Sequence, residues 1–216
     1  MNGSTADVTT QTIAGRDGDL IMSNNRFNSF QQDVNVTYHG EHKKIKEQAE
    51  KFKQLLLKDV KFHDFQFSDE QEYVYQAAFV TAFHLTWVDS EQATQTLSFN
   101  MMPFKYIKSS QSYQTITTGV KLNNTGTIPA KPVIKITGSG DCTVQIGSKS
   151  VSLKGIDGGI IMDTDSQLCT NLASTRTQFD KMYGDFMTIP TGNQTVTITG
   201  KNITKVEIKP RWAVRA

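Results

Sequence analysis

The sequence predicts a mainly β protein of two domains carrying a single α-helix. Three observations support this. A stretch from about residue 41 to 58 repeats apolar residues at helical spacing, and the stretch from Tyr73 to Val88 alternates at period two. Beyond Pro132 every segment is short, alternating and punctuated by glycine. At 216 residues, with 37% hydrophobic and 20% charged, the chain can bury a core in each of two domains without a metal or disulfide staple. The net charge of +2 falls far short of the concentrated basic face that nucleic acid requires.

From Thr9 to Tyr38 the text reads as strands broken by turns. Gly15-Arg16-Asp17-Gly18-Asp19 and Ser23-Asn24-Asn25 are the turn clusters, and Leu20–Met22 and Val34–Tyr38 are β-prone. The helix follows. Ile45, Ala49, Phe52 and Leu56 form its apolar stripe, and Leu55 is expected to widen it. Lys43 and Lys44 oppose the dipole at its start, so burial of the stripe must stabilise it. Its interleaved Lys43, Lys46, Glu47, Glu50, Lys51 and Lys53 read as a solvated face.

Tyr73–Val88 is expected to be one long strand with a bend or bulge, its core face running Tyr73, Tyr75, Ala77, Phe79, Thr81, Phe83, Leu85, Trp87. Asp89-Ser90-Glu91 turns the chain, and Ala93, Leu97, Phe99 and Met101 return as its partner in a long hairpin. A boundary lies between Pro103 and Pro132, giving domains 1–117 and 118–216, with Gln114–Leu122 a further strand candidate. In the second domain the expected strands are Val133–Ile136, Cys142–Ile146, Ser150–Leu153, Ile160–Met162, Thr195–Ile198 and Lys205–Ile208. Close, regular spacing without a helical pattern indicates a β-sandwich or small barrel.

Residues that could carry chemistry are few and scattered. Cys142 and Cys169 match no zinc or redox spacing and read as reduced thiols. His39, Glu41 and His42 could approach a metal, but no HExxH pattern or cysteine accompanies them; His63 and His84 stand alone. Asp163 and Asp165 invite a calcium reading, yet the loop lacks the glycine and distant glutamate of an EF-hand. Asp141, Asp157 and Asp185 could supply a glycosidase pair only at a separation that sequence does not give. No nucleophile elbow, P-loop or dinucleotide fingerprint occurs, so no catalytic, cofactor-binding or metal residue is assigned and no enzyme is expected. Asn2, Asn35, Asn123, Asn193 and Asn202 head Asn-x-Ser/Thr triplets that mean little without a secretory signal, and none is read at the N-terminus. No run approaches a membrane span.

Three stretches resemble the distal tail proteins of siphophages. They are Ile13-Ala-Gly-Arg-Asp-Gly-Asp-Leu-Ile21; Glu72-Tyr-Val-Tyr-Gln-Ala-Ala-Phe79 with Leu97-Ser-Phe-Asn-Met-Met-Pro-Phe-Lys-Tyr106; and Pro132-Val-Ile-Lys-Ile-Thr-Gly138, Met182-Tyr-Gly-Asp-Phe186 and Val206-Glu-Ile-Lys-Pro-Arg-Trp212. The resemblance implies an N-terminal barrel-like domain with one helix and a C-terminal galectin-like β-sandwich. It also implies a homohexameric hub ring at the virion tail tip, assembled in the host cytoplasm. The implied partners are other copies of the chain, the tail tube protein, a tail-associated lysin or fibre hub protein and a receptor-binding protein. One departure concerns the start: family members carry a further strand and hairpin before the Gly-Arg-Asp-Gly turn.

Two functions therefore compete. The first is a structural hub ring, expected to assemble through the uncovered edge of the Tyr73–Val88 arm. The second is a carbohydrate-binding module reading host wall sugars. Against the second, the His- and Arg-rich strand of sugar-binding galectins has no counterpart, and Phe179, Tyr183, Phe186 and Trp212 are expected to pack as core.

Overall fold

The computed structural model describes residues 2–216. The described residues are mainly β with one α-helix, and their strands pair in antiparallel sheets, as the patterning predicts. The chain forms two compact units: residues 2–69, 74–105 and 215–216 make the first, and residues 70–73 and 106–214 the second.

The first unit begins with β1 (Ala6–Thr12) and β2 (Asp19–Phe27), a ribbon that forms a two-stranded sheet of its own. Gly15 and Gly18 supply positive φ at its tip, and Thr12 Oγ1 donates to Asp19 Oδ1 at 2.7 Å where the strands close. The Ser23-Asn24-Asn25 turn expected from sequence is instead a bulge within β2. Asn25 takes a φ of 55°, and the pairing slips between Ala6↔Phe27 and Val8↔Ser23. Asparagine tolerates that left-handed backbone, so the ladder resumes rather than turning back.

β3 (Phe30–His39) then leads into α1 (His42–Leu57), within a residue of the predicted bounds. β4 (His63–Phe65), β5 (Tyr73–Phe79), β6 (Thr86–Trp87) and β7 (Gln92–Ile107) follow. β7 is the organising strand: it pairs with β3 from Phe30↔Met101 to His39↔Gln92, and also with β5 and β6. Its Ala93, Leu97, Phe99 and Met101 are buried, as their spacing predicts. Gln95 joins that row and accepts a hydrogen bond from Tyr38 Oη at 3.2 Å. α1 packs on this sheet through Ile45 and Ala49 against Tyr38 and Ala93, with Phe52, Phe83, Leu85 and Trp87 closing around them. Each fully buried aliphatic contributes about 1.5–3 kcal/mol, which offsets the unfavourable charges at the helix start. No barrel closes among the described strands, and β4 remains a sheet edge.

Two further expectations for this unit are corrected. The Tyr73–Val88 arm is not one strand: it leaves the ladder from Val80 to Leu85 and resumes only for Thr86 and Trp87. Its alternation survives in burial, with Phe83, Leu85 and Trp87 turned to the helix and Ala82, His84 and Thr86 exposed. Period two therefore reported which way side chains face, not whether the backbone pairs; the long strand is β7. Leu55 does not widen the stripe, since it is 67% exposed.

The second unit is a sandwich of β8 (Gln114–Thr115), β9 (Lys121–Asn124), β10 (Val133–Gly138), β11 (Gly140–Ile146), β12 (Lys149–Ile156), β13 (Gly159–Asp163), β14 (Leu168–Thr170), β15 (Met182–Tyr183), β16 (Gly192–Gly200) and β17 (Ile203–Lys209). One sheet runs β14-β13-β10-β17-β8 and the other β15-β12-β11-β16-β9. Ile134, Ile136, Ile160 and Ile208 from the first meet Val144, Ile146, Leu153 and Val196 from the second in one buried core. Gln114–Leu122 splits into β8 and β9, because Gly119 (φ 90°) turns the chain and Val120 N–H bonds back to Thr117 O at 3.2 Å. A final strand, β18 (Ala213–Arg215), returns the chain to the first unit. There Ala216 N–H donates to Pro103 O, and Ser4 N–H donates to Ala216 O, each at 3.0 Å.

Candidate functional site

Of the acidic residues flagged in the sequence, Asp141, Asp163 and Asp165 are engaged, whereas Asp157 and Asp185 are exposed and have no hydrogen-bond partner among the described residues. Asp163, at the end of β13, accepts two hydrogen bonds from the Arg211 guanidinium at 2.7 and 3.2 Å. It also accepts from the N–H groups of Asp165 and Ser166. Burial pushes its carboxyl pKa up, but the Arg211 hydrogen bonds and charge and the two N–H groups outweigh that and hold it below the ordinary value. Asp165 binds Lys131 Nζ at 2.9 Å. With Asp163 neutralised by an arginine and closed by its own turn, this pair is a loop anchor. Asp141 caps the β12 bend by accepting from Gly155 N–H at 2.9 Å. Among the described residues no group of three or more His, Cys, Asp or Glu side chains converges as a metal site.

The histidines do not gather. His39, His63 and His84 are exposed, and the His42 ring lies flat on Trp87 with centroids 3.7 Å apart. Cys142 on β11 and Cys169 on β14 are buried free thiols. Burial raises both pKa values; for Cys169 it does so together with the Asp180 charge, to about 11. Both thiols are thus buried and biased toward the protonated form, which disfavours a nucleophilic role.

The aromatic residues of the second unit divide. Trp212 is buried and Phe186 packs against the sandwich core, as expected. Phe179 and Tyr183 contradict the expectation, being 47% and 52% exposed. The cause is local. β15 is a two-residue edge strand, so Met182 turns inward and Tyr183 outward with no sheet to cover it, and Phe179 opens the one-turn helix Phe179–Lys181. Phe179 meets Phe186 edge to face, centroids 6.4 Å apart. Together with Gln167, Met182, Gly184 and Asp185 they line a recess of about 440 Å³. Next to it, Lys154 Nζ stands 4.8 Å over the Tyr183 ring.

The first unit offers two apolar surfaces. One is the ribbon, on which Val8, Ile13, Ile21 and Met22 are 41–67% exposed. The other is a groove of about 430 Å³ between α1 and the β4–β5 edge, lined by Phe52, Leu56, Phe65, Phe79 and Phe99. Two of the polar groups at its margin are engaged: His63 Nε2 lies 3.4 Å from Asp59 O, and Asp64 accepts from Gln76. Both surfaces suit packing against protein better than catalysis. Sequence reading missed them because exposure of an apolar residue depends on which strands fail to find a cover. No helix of the described residues is long and apolar enough to cross a membrane.

No family model and no curated protein matches the chain. Among solved structures it is similar to the Dit (gp 19.1) protein of phage SPP1, described as a paradigm of the hub adsorption apparatus in phages infecting Gram-positive bacteria. The TM-score is 0.70 at 18% identity, over 96% of this chain and 87% of that one. The likeness is therefore one of fold, and it extends through both units rather than the sandwich alone.

Proposed function

We propose that this chain is a structural protein of a phage tail tip, forming a homohexameric hub ring that joins the tail tube to the adsorption apparatus. The observation that carries the proposal is the fold likeness to SPP1 Dit across 96% of the chain. A free-standing sugar-binding module would share only a sandwich. In this reading the protein resides in the virion and assembles in the host cytoplasm. Its partners are further copies of itself, the tail tube protein, the lysin or fibre hub protein and a receptor-binding protein. It does no catalysis and needs no cofactor. The first unit makes the ring contacts and the second is the galectin-like sandwich, which begins near residue 106 rather than at 118.

The β1–β2 ribbon supplies the physical motive for assembly, in place of the Tyr73–Val88 edge. A two-stranded ribbon is marginal alone, and its exposed Ile21 and Met22 gain about 25 cal/mol for each Å² that a neighbour covers. A head-to-tail contact repeated by every copy closes a ring when its rotation divides the circle. Native mass measurement and negative-stain imaging of the full chain test this. Rings of six are expected for the wild type, and folded monomers when residues 7–26 are replaced by a short glycine-serine turn. A wild-type protein that is monomeric at assembly concentration, with no ring in assembled tails, refutes the proposal.

A further inference from the structure

We infer that the recess between Phe179 and Asp185 is a binding site for a neutral pyranose sugar. Three features converge there. The Phe179 ring is 47% exposed, yet Phe186 holds it edge to face at 6.4 Å, so it offers a fixed apolar face rather than a mobile one. The side chains of Asp185 and Gln167 line the same recess, and neither has a hydrogen-bond partner among the described residues. Its volume of about 440 Å³ lies within the range of about 300–1,000 Å³ typical of small-molecule pockets.

The chemistry selects the ligand class. A pyranose has a face of C–H groups for an aromatic ring and a rim of hydroxyls that both donate and accept. Phe179 meets the face; the Asp185 carboxylate accepts from two neighbouring hydroxyls, and the Gln167 carboxamide both donates and accepts. The Asp185 charge disfavours phosphate or uronate, which narrows the class to neutral sugars. Backbone geometry fits a built recess: Gln167 has a φ of 52° and Gly184 of 114°, both in the left-handed region. Met182 forms the inner wall while its neighbour Tyr183 points away, so the two exposed rings belong to different surfaces. The inference does not depend on the ring: the recess lies wholly within the second unit.

Saturation-transfer NMR on the full chain tests it, using the methyl glycosides of glucose, galactose, rhamnose and N-acetylglucosamine as probes. This readout works for a monomer and a ring alike. At least one glycoside should show a saturable signal, with the C–H face receiving most of the transfer. Phe179→Ala and Asp185→Asn should each weaken it about tenfold, and Tyr183→Ala should not change it. Phe179→Leu keeps an apolar contact to Phe186 and separates loss of the ring from loss of local packing; it too should weaken binding. The inference is overturned if no glycoside saturates, or if a saturable signal survives unchanged in both Phe179→Leu and Asp185→Asn.

Discussion

Replacing Asp163 with asparagine should destabilise the second unit by about 2 kcal/mol. Asp163 and Arg211 keep only 25% and 21% of their side-chain surface exposed, and two hydrogen bonds join them. A charge-assisted bond contributes about 1.5–3 kcal/mol net when well sheltered. Asparagine keeps one acceptor oxygen, so one bond persists in weaker neutral form, while Arg211 is left half-buried without its counter-charge. Partial exposure trims the total toward the lower figure. For a chain of this size that shift lowers the unfolding midpoint by about 4–8 °C. Asp165→Asn breaks only the exposed Lys131 pair and should cost less than about 0.5 kcal/mol. The pH dependence provides a second check. Because the folded Asp163 pKa is lowered, its stabilisation is complete above the unfolded value near ~3.9 and is lost as pH falls through the folded value. Thermal and urea unfolding should therefore show the gap between wild type and Asp163→Asn narrowing below about pH 4. A gap no larger than that of Asp165→Asn, or one that persists undiminished to pH 2, would show that this ion pair is not what anchors the loop.

Ile136→Ala, at a residue with 0% exposure between the two sheets, should cost about 2–5 kcal/mol in urea unfolding, whereas Leu55→Ala on the open face of α1 should stay within about 0.5 kcal/mol. Gly159→Ala should lower the thermal midpoint sharply, since a Cβ there would stand 2.6 Å from Ile136 O at a φ of 147°. Thiol-reactive dye at pH 8 should label neither cysteine in the folded protein and both after unfolding without reductant; fast native labelling of Cys169 would contradict its burial and raised pKa.

What could be read from the sequence divides along a physical line. Patterns that depend on one element's own period were legible: the Ile45–Ala49 stripe located α1 to within a residue, and alternation located β10 to β13, β16 and β17. Patterns that depend on a neighbour were not. The Val80–Leu85 stretch alternates like a strand yet bonds like a loop, because facing the helix requires only direction. Leu55 and Tyr183 read as core but lie open, since nothing in the local text says where an opposing surface stops. Of the recess, sequence had singled out Phe179, Phe186 and Asp185 separately. Only the turn after β14 brings them beside Gln167.

The hydrogen bond from Ser4 N–H to Ala216 O joins positions 212 residues apart, both in the first unit. A contact so distant in sequence costs loop-closure entropy that no local element offsets, so the protection of that amide reports on the first unit as a whole.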